Sequence, residues 1–134
     1  MSRSGYSDDY GGWDLICWRG AVKSALKGRR GQAFLVELRD ALDAMPGKRL
    51  IANSLEVEGE FCTLGVIGVK RGVDMAALDP DDREAVGGAF GISPAMASEI
   101  VFMNDEACWQ KESPEQRWLR MRDWVESNIQ LATL

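Results

Sequence analysis

The sequence predicts an all-α protein that folds as a single compact domain of about five to six helices. Its 134 residues suffice for one domain with one hydrophobic core. Apolar residues recur at helical spacing along most of the chain, and Ser-Pro, Asp-Pro and glycine signals divide it into segments of helical length. The first twelve residues are polar and rich in glycine. We therefore expect a flexible tail at 1–12 and a single helical domain at 13–134.

The first two predicted helices form a hairpin. The first helix runs over about 13–27, and Gly28 is expected to cap its C-terminal end. The second runs over about 32–45 and is stopped by Pro46. Cations recur every four residues along one face of the first helix, so the hairpin is predicted to carry a basic face near its turn.

The segment 61–71 fits a helix or a strand. Its β-branched residues favour a strand. Its apolar positions also share one face of a helix, and the Lys70-Arg71-Gly72 ending is typical of a helix terminus. Because the neighbouring segments are helical, we predict a helix, in which Gly65 and Gly68 let a second helix approach closely.

Three further helices are marked by start signals that each precede a proline. The first begins at Asp79 and ends at Gly91, the second runs from Ser93 to about 103, and the third runs from Ser113 to about 130. Gln116 stands three residues after Ser113, which is the spacing of a capping box.

The segment 80–103 resembles a helix-turn-helix pair. A small residue, Gly87, precedes the turn glycine by four positions, and Ile92 follows that turn. Ala97 and Ile100 fall where the second helix would pack on the first. The predicted exposed positions of the second helix lack the Arg, Lys, Asn and Gln side chains that read base edges. These positions are Ser93, Pro94, Ala95, Ser98 and Glu99.

Positive charge gathers in the first part of the chain. The net charge is −5, but residues 1–50 hold nine Lys/Arg against six Asp/Glu, whereas residues 51–134 hold seven against fifteen. The cations of the first hairpin form the candidate binding surface, which we call the basic elbow. The basic elbow consists of Arg19, Lys23, Lys27, Arg29 and Arg30. Such a stripe can hold the phosphates of a nucleic acid or an acidic patch of a protein.

The alternative interpretation of the basic elbow is a solvated helix face, because exposed charge stripes are common and contribute little. In that case Glu37 and Asp40 would neutralise part of it. Lys48 and Arg49 are candidates to extend the elbow. The turn at 28–31 lacks the spacing of a phosphate-binding loop and follows no predicted strand.

The composition argues against catalysis. The chain has no histidine, which excludes His-based nucleophile activation and His-containing metal sites. Its acidic clusters come without a second catalytic residue type at a fixed spacing. The three cysteines are expected to be buried free thiols, since their number is odd and no Cys-x-x-Cys pair occurs. We predict a protein that is not an enzyme, with no catalytic residue, metal or cofactor.

Five tryptophans are expected to build the core and one contact surface. They occur near the first and last helices, so we predict that these helices pack together through a shared aromatic cluster. Trp109, in a loop, is the candidate for an exposed interface anchor. No apolar run has the length of a membrane span and no signal peptide is evident, so we expect a cytoplasmic protein that contacts no membrane.

Eight short blocks carry a resemblance that covers nearly the whole chain. They are MSRSGY at 1–6, WRGAV at 18–22, RGQ at 30–32, ALDAMP at 41–46, RGVD at 71–74, FGI at 90–92, MNDE at 103–106 and RDWV at 122–125. In these blocks the chain resembles a family of small proteins encoded by tailed phages and prophages. None of the blocks is a catalytic signature, so the resemblance implies a phage accessory role in the cytoplasm of an infected bacterial host.

These observations predict a non-enzymatic phage accessory protein that binds a host or phage macromolecule. The expected activity is inhibition of a host defence complex, such as a CRISPR complex, or of another nucleic-acid-handling complex. The expected partner is a host protein complex or a phage protein. The alternative is a nucleic-acid-binding regulator of the helix-turn-helix type that uses the basic elbow.

Overall fold

The computed structural model of this protein describes residues 12–108 and 111–130, with side chains from residue 17 onward. The predicted tail therefore lies outside the described residues, except for Gly12, which opens the first helix. The described residues form six α-helices, one turn of 3-10 helix and a two-stranded hairpin. The helices are α1 (Gly12–Lys27), α2 (Arg29–Ala44), α3 (Thr63–Arg71), α4 (Arg83–Phe90), α5 (Pro94–Asp105) and α6 (Pro114–Asn128). The strands are β1 (Glu56–Val57) and β2 (Glu60–Phe61), and the 3-10 turn is Met75–Ala77. The predicted all-α class is confirmed.

The core is built around α2 and α5. Helix α5 packs against α1, α3, α4 and α6, and α2 packs against α1, α3 and α6. Both helices bury large apolar side chains, which supplies most of the stabilisation of such a domain. The largest fully buried side chains include Leu35, Leu38, Leu42, Leu50, Leu64, Ile67, Phe90, Met96, Ile100 and Met121.

The joint between α1 and α2 is a single residue. Gly28 directly follows Lys27, and its N–H donates to the carbonyl oxygen of Ser24 at 3.0 Å, so it ends α1 as predicted. With φ −67° and ψ 161° it is also the extended N-cap of α2. The second helix thus begins three residues earlier than predicted. A Cβ placed on Gly31 would lie 1.9 Å from the carbonyl oxygen of Ala25, so the two helices touch through their backbones. Only glycine allows this crossing.

The segment 61–71 is helical from Thr63 onward, as predicted, and its first residue belongs to β2. The prediction that a second helix packs closely against Gly65 and Gly68 is wrong. A Cβ on Gly65 would meet the carbonyl oxygen of Leu55, and one on Gly68 would meet the side chain of Met75. A loop and the 3-10 turn therefore make the close approaches. The hairpin that precedes α3 was not predicted, because each of its strands has only two residues.

The start of α4 differs from the prediction by one turn. The Asp82 side chain accepts a hydrogen bond from the backbone N–H of Ala85 at 3.1 Å and caps the helix. Asp79 instead accepts from the N–H of Asp81 at 2.9 Å, so it shapes the preceding turn. The other two start signals are confirmed, since Ser93 caps α5 and Ser113 forms a capping box with Gln116 at the start of α6.

Helices α4 and α5 cross as a helix-turn-helix pair would. Their axes meet at 102°, within the range of about 90–120° for such pairs. Gly91 has φ 70°, and a Cβ on Gly87 would lie 2.9 Å from the carbonyl oxygen of Ile92. The predicted need for a small residue four positions before the turn is thus confirmed.

Among the described residues, no single helix combines the length and the apolar composition needed to cross a membrane. In this part of the chain, α4 and α5 have that length and apolar composition only when they are taken together across their bend of 102°.

Candidate anion-binding surface

The structure brings the five cations of the basic elbow to one exposed corner. Arg19, Lys23 and Lys27 recur along α1 in steps of four residues, or about 6 Å along the helix axis. Arg29 and Arg30 form the start of α2, directly after the joint at Gly28. All five residues are exposed to solvent. The five cations are therefore all open to solvent on the two helices that meet at Gly28, and their role as a binding surface stays a prediction.

None of the five cations has an ion-pair or hydrogen-bond partner for its side chain among the described residues. The other described Lys and Arg side chains, Lys111 excepted, are engaged within the fold. Those in ion pairs are Arg39, Arg49, Lys70, Arg71, Arg117, Arg120 and Arg122. Lys48 donates to backbone carbonyls, and Arg83 covers an aromatic ring. Apart from the single Lys111, the elbow is thus the part of the described chain where positive charge is left available to a partner.

The expected neutralisation of the elbow by Glu37 and Asp40 is wrong. Both oxygens of Glu37 accept hydrogen bonds from the guanidinium of Arg71, and these bonds hold the pKa of Glu37 below its ordinary value. Arg71 also donates to the carbonyl oxygen of Phe90 at 2.8 Å, so it joins three helices. Asp40 lies 3.4 Å from its neighbour Arg39. Neither acid lies against an elbow cation.

Lys48 and Arg49 do not extend the elbow, because they lie at the opposite end of α2. The sixteen residues of α2 span about 24 Å. The ammonium of Lys48 donates to the carbonyl oxygens of Asp43 and Met45, which closes the C-terminal end of that helix. Arg49 pairs with Glu115 at 2.6 Å. Both cations therefore serve the fold at that end.

The start of α2 has an unfavourable charge distribution for a helix. Arg29 and Arg30 occupy its first turn, which contains no acidic residue, and Gly28 offers no side chain as a cap. The N-terminal end of a helix dipole is positive, so cations there lower helix stability by about 0.3–1 kcal/mol each. The same arrangement raises the positive potential of the corner, which favours an anion.

Gln32 fixes the elbow in place. Its amide nitrogen donates to the carbonyl oxygens of Leu26 at 2.7 Å and Asn128 at 2.9 Å. Its amide oxygen accepts from the N–H of Gln130 at 2.7 Å. The last turn of α1 is thereby tied to α2 and to the end of α6. Sequence reasoning missed this role, because the partners at 128 and 130 are distant in the chain.

A small cleft of about 250 Å³ separates the elbow from the start of α5. Its walls come from the α1–α2 joint on one side and the α4–α5 turn on the other. The lining residues are Ser24, Ala25, Gly28, Arg29, Arg30, Gly31, Ile92, Ser93 and Met96. Two arginines of the elbow therefore border a concave site.

Helix α5 cannot read DNA in the manner of a recognition helix, since its sides are covered. The exposed positions predicted for α5 include two that are buried, Ala95 at 9% and Ser98 at 1% exposure. Helix α1 packs on α5, and α3, α4 and α6 surround it as well. The crossing angle of a helix-turn-helix pair is therefore present without its accessible second helix.

The three tryptophans whose side chains are described, Trp18, Trp118 and Trp124, do not form one shared cluster. Trp118 is buried in the core, and its indole N–H donates to the carbonyl oxygen of Leu42 at 3.2 Å. Trp124 packs at the edge of the same core. Trp18 is half-buried, outside that core, and lies under the guanidinium of Arg83, 4.7 Å from the ring centroid. Helix α1 packs mainly on α5 and α2 within the described residues, so the predicted main contact between the first and last helices is wrong. The Trp13 side chain lies outside the described residues.

Trp109 and the cysteines were also the subject of predictions. Trp109, the predicted interface anchor, lies outside the described residues. Among the cysteines, Cys62 is buried and Cys108 half-buried, but Cys17 is exposed on α1. The expectation of three buried thiols is therefore confirmed for Cys62, met only in part by Cys108 and wrong for Cys17.

A second concave surface, the apolar groove, lies at the far end of α2 and was not predicted. It has a volume of about 620 Å³. Its floor is mostly apolar and its edges are charged. The apolar groove is lined by Asp40, Ala41, Ala44, Met45, Pro46, Gly47, Arg49, Gly59, Glu60, Phe61, Val66, Val69 and Lys70. Sequence reasoning missed it because α2, the hairpin and α3 contribute separate walls.

The described residues hold no group of three or more Cys, Asp or Glu side chains arranged to bind a metal ion. No family model matches this chain, and no curated protein or solved structure is significantly similar to it. The resemblance to phage-encoded proteins stays a prediction.

Proposed function

We propose that this protein is a non-enzymatic accessory protein that binds an anionic host or phage macromolecule through the basic elbow. One observation supports this most directly: five exposed cations lie together, and none of them is neutralised by a described carboxylate. Cations with satisfied partners add little to the field outside the protein, whereas unpaired ones attract anions over several ångströms.

The resemblance to phage proteins suggests the setting in which this surface acts. The partner is then a nucleic-acid-handling complex of the bacterial host, such as a defence complex, and binding at the elbow inhibits it. The rest of the chain is acidic, with fifteen Asp/Glu against seven Lys/Arg over 51–134. This asymmetry orients the protein, because only the elbow side attracts an anionic surface.

Affinity capture from host lysate tests the proposal, with two lysines exchanged in turn. Lys23→Glu reverses one charge within the elbow, and Lys111→Glu reverses one exposed, unpaired lysine elsewhere. We expect the captured partner to be lost with Lys23→Glu and retained with Lys111→Glu. Capture that survives replacement of all five elbow cations by glutamine overturns the proposal.

A further inference from the structure

We infer that the partner held by the basic elbow is the phosphate backbone of a duplex nucleic acid, bound without reading of its base sequence. This inference rests on the proposed function, because it names the class of anion that the elbow holds. It is carried by the juxtaposition of five cations that have no partner among the described side chains with the small residues that lie between them on α1 and at the joint.

From residue 17 onward, where side chains are described, the elbow has no aromatic or large apolar side chain exposed between its cations. Protein–protein interfaces are centred on aromatic or large apolar side chains and are depleted in lysine. The exposed residues between the elbow cations are small: Gly20, Ala21, Ser24 and Gly28. The large apolar side chains that are exposed in the described part of the chain are Val36, Val57, Val69 and Leu119. Val36 is on α2, about two turns beyond Arg29, and the other three are on other elements. Between the described elbow cations, an acidic protein would therefore find charge but no large apolar side chain.

The same surface suits a phosphate backbone. Small residues between the cations let a nucleic-acid strand come close to the helix. The cations of α1 are about 6 Å apart along its axis, and a duplex strand rises about 3.4 Å per nucleotide. Each step from Arg19 to Lys23 to Lys27 therefore spans nearly two nucleotides. A line of cations at this spacing can follow one strand of a duplex.

A duplex fits better than a single strand. Binding of single strands relies on aromatic side chains that stack on unpaired bases. The described aromatic side chain of α1, Trp18, is half-buried beneath Arg83 and is not open to stacking on a base. A duplex also carries the higher charge density, about one charge per 1.7 Å of its axis, which favours a surface that binds through charge alone.

Base sequence is not read, because no described element presents the necessary side chains to a groove. Helix α5 is covered by α1, and Ala95 and Ser98 on its predicted reading face are buried. The elbow side chains are lysine and arginine on an exposed corner, where phosphates are the first groups they meet. The rest of the chain is acidic and repels phosphates, so the nucleic acid contacts the protein at the elbow.

The test measures binding of fluorescent nucleic acid to the full-length protein across a salt series. Two duplexes of equal length and unrelated sequence are compared with a single strand of one of them and with polyglutamate. If all five cations contact phosphates of a duplex, log K falls with log salt with a slope of about −4.5, and fewer contacts give a shallower slope. We expect equal affinity for the two duplexes, weaker binding of the single strand, and weak binding of polyglutamate.

Matched variants assign the contacts. Lys23→Gln should reduce the slope by about 0.9 and the affinity at 0.1 M salt roughly tenfold. Lys111→Gln removes an exposed lysine outside the elbow and should change neither. A slope that Lys23→Gln and Lys111→Gln reduce equally overturns the inference, since binding would then follow overall charge.

Other outcomes separate this inference from the proposed function. If polyglutamate binds as tightly as the duplexes, the partner is an acidic protein, so the inference fails and the proposed function stands. A tenfold preference for one duplex sequence overturns the claim that sequence is not read. If neither probe binds and lysate capture is also insensitive to the elbow charges, both the inference and the proposed function fail.

Discussion

Lys27 is the last residue of α1 and Arg29 is the first residue of α2, with only Gly28 between them. Lys27 therefore lies at the negative end of one helix dipole and Arg29 at the positive end of the next. The last turn of a helix is stabilised by a cation and the first turn is destabilised by one. Arg29→Glu should therefore raise the free energy of unfolding by about 0.3–1 kcal/mol, and Lys27→Glu should lower it by a similar amount. Urea denaturation measures both changes.

Binding should respond differently from stability in this pair. Both substitutions remove an elbow cation and add an acid, so both should weaken the capture of an anionic partner. A more stable Arg29→Glu protein that still binds fully would contradict the proposed role of the elbow. The pair thus separates loss of function from loss of folding.

Two adjacent glycines in α4 should respond in opposite directions to alanine. A Cβ on Gly87 would lie 2.9 Å from the carbonyl oxygen of Ile92, whereas a Cβ on Gly88 meets nothing within 4 Å. We expect Gly87→Ala to destabilise the protein by about 1–3 kcal/mol through backbone displacement. Gly88→Ala should stabilise it by about 0.5–1 kcal/mol, since alanine favours a helix interior. Thermal unfolding measures the stability of both variants. Equal changes in stability at the two positions would contradict the close α4–α5 crossing.

Asn104 joins α5 to the start of α3 and the preceding loop. Its side-chain oxygen accepts from the backbone N–H of Thr63 at 3.1 Å and from the Thr63 hydroxyl at 2.8 Å. Its amide nitrogen donates to the carbonyl oxygen of Ile51 at 2.9 Å. Because Asn104 and Thr63 are buried, Asn104→Ala leaves polar groups unsatisfied and should cost about 2–4 kcal/mol.

Asn128→Ala is the matched control for that substitution. Asn128 is half-buried, and its amide nitrogen donates to the carbonyl oxygen of Trp124. We expect its loss to cost no more than about 1 kcal/mol in chemical denaturation. Equal costs at the two positions would show that Asn104 does not hold the loop to α5.

Stability should depend on acid pH through Glu112. Its carboxylate accepts two hydrogen bonds from Arg120 and also faces Arg117, which together hold its pKa below the ordinary value. A carboxyl whose pKa is depressed by folding stabilises the protein above the unfolded pKa. That contribution is lost as pH falls through about 4 and below.

Glu112→Gln removes this contribution. The difference in unfolding free energy between the wild type and Glu112→Gln should therefore be largest near neutral pH and shrink in acid. Asp123→Asn, which removes one exposed charge from α6, serves as the control. A difference for Glu112→Gln that stays constant between pH 7 and pH 3 would contradict the ion pair with Arg120.

Local chemistry made the helices predictable, because caps and stops act within one turn. Ser93 and Ser113 mark their helices by hydrogen bonds to residues three positions on, and Gly91 ends α4 with a left-handed φ. The cations of the basic elbow were also identifiable, since Arg19, Lys23 and Lys27 share one face of a single helix.

Tertiary relations were not predictable in the same way. Alanine and serine suit both buried and exposed helix faces, so Ala95 and Ser98 gave no sign that the fold buries them. Gln32 looks like an ordinary polar helix residue, and only the fold brings the end of α6 to its amide. The apolar groove likewise depends on three segments that the sequence keeps apart.

The single-residue joint at Gly28 has a kinetic consequence. No loop has to be ordered when a partner arrives, so association loses little backbone entropy at this corner. A rigid charged corner should therefore associate quickly, by electrostatic steering toward the oppositely charged surface. With few apolar contacts to slow departure, the residence time should be short and should fall further as salt rises. Such a protein would act by repeated brief encounters, and its occupancy would follow its concentration in the cell.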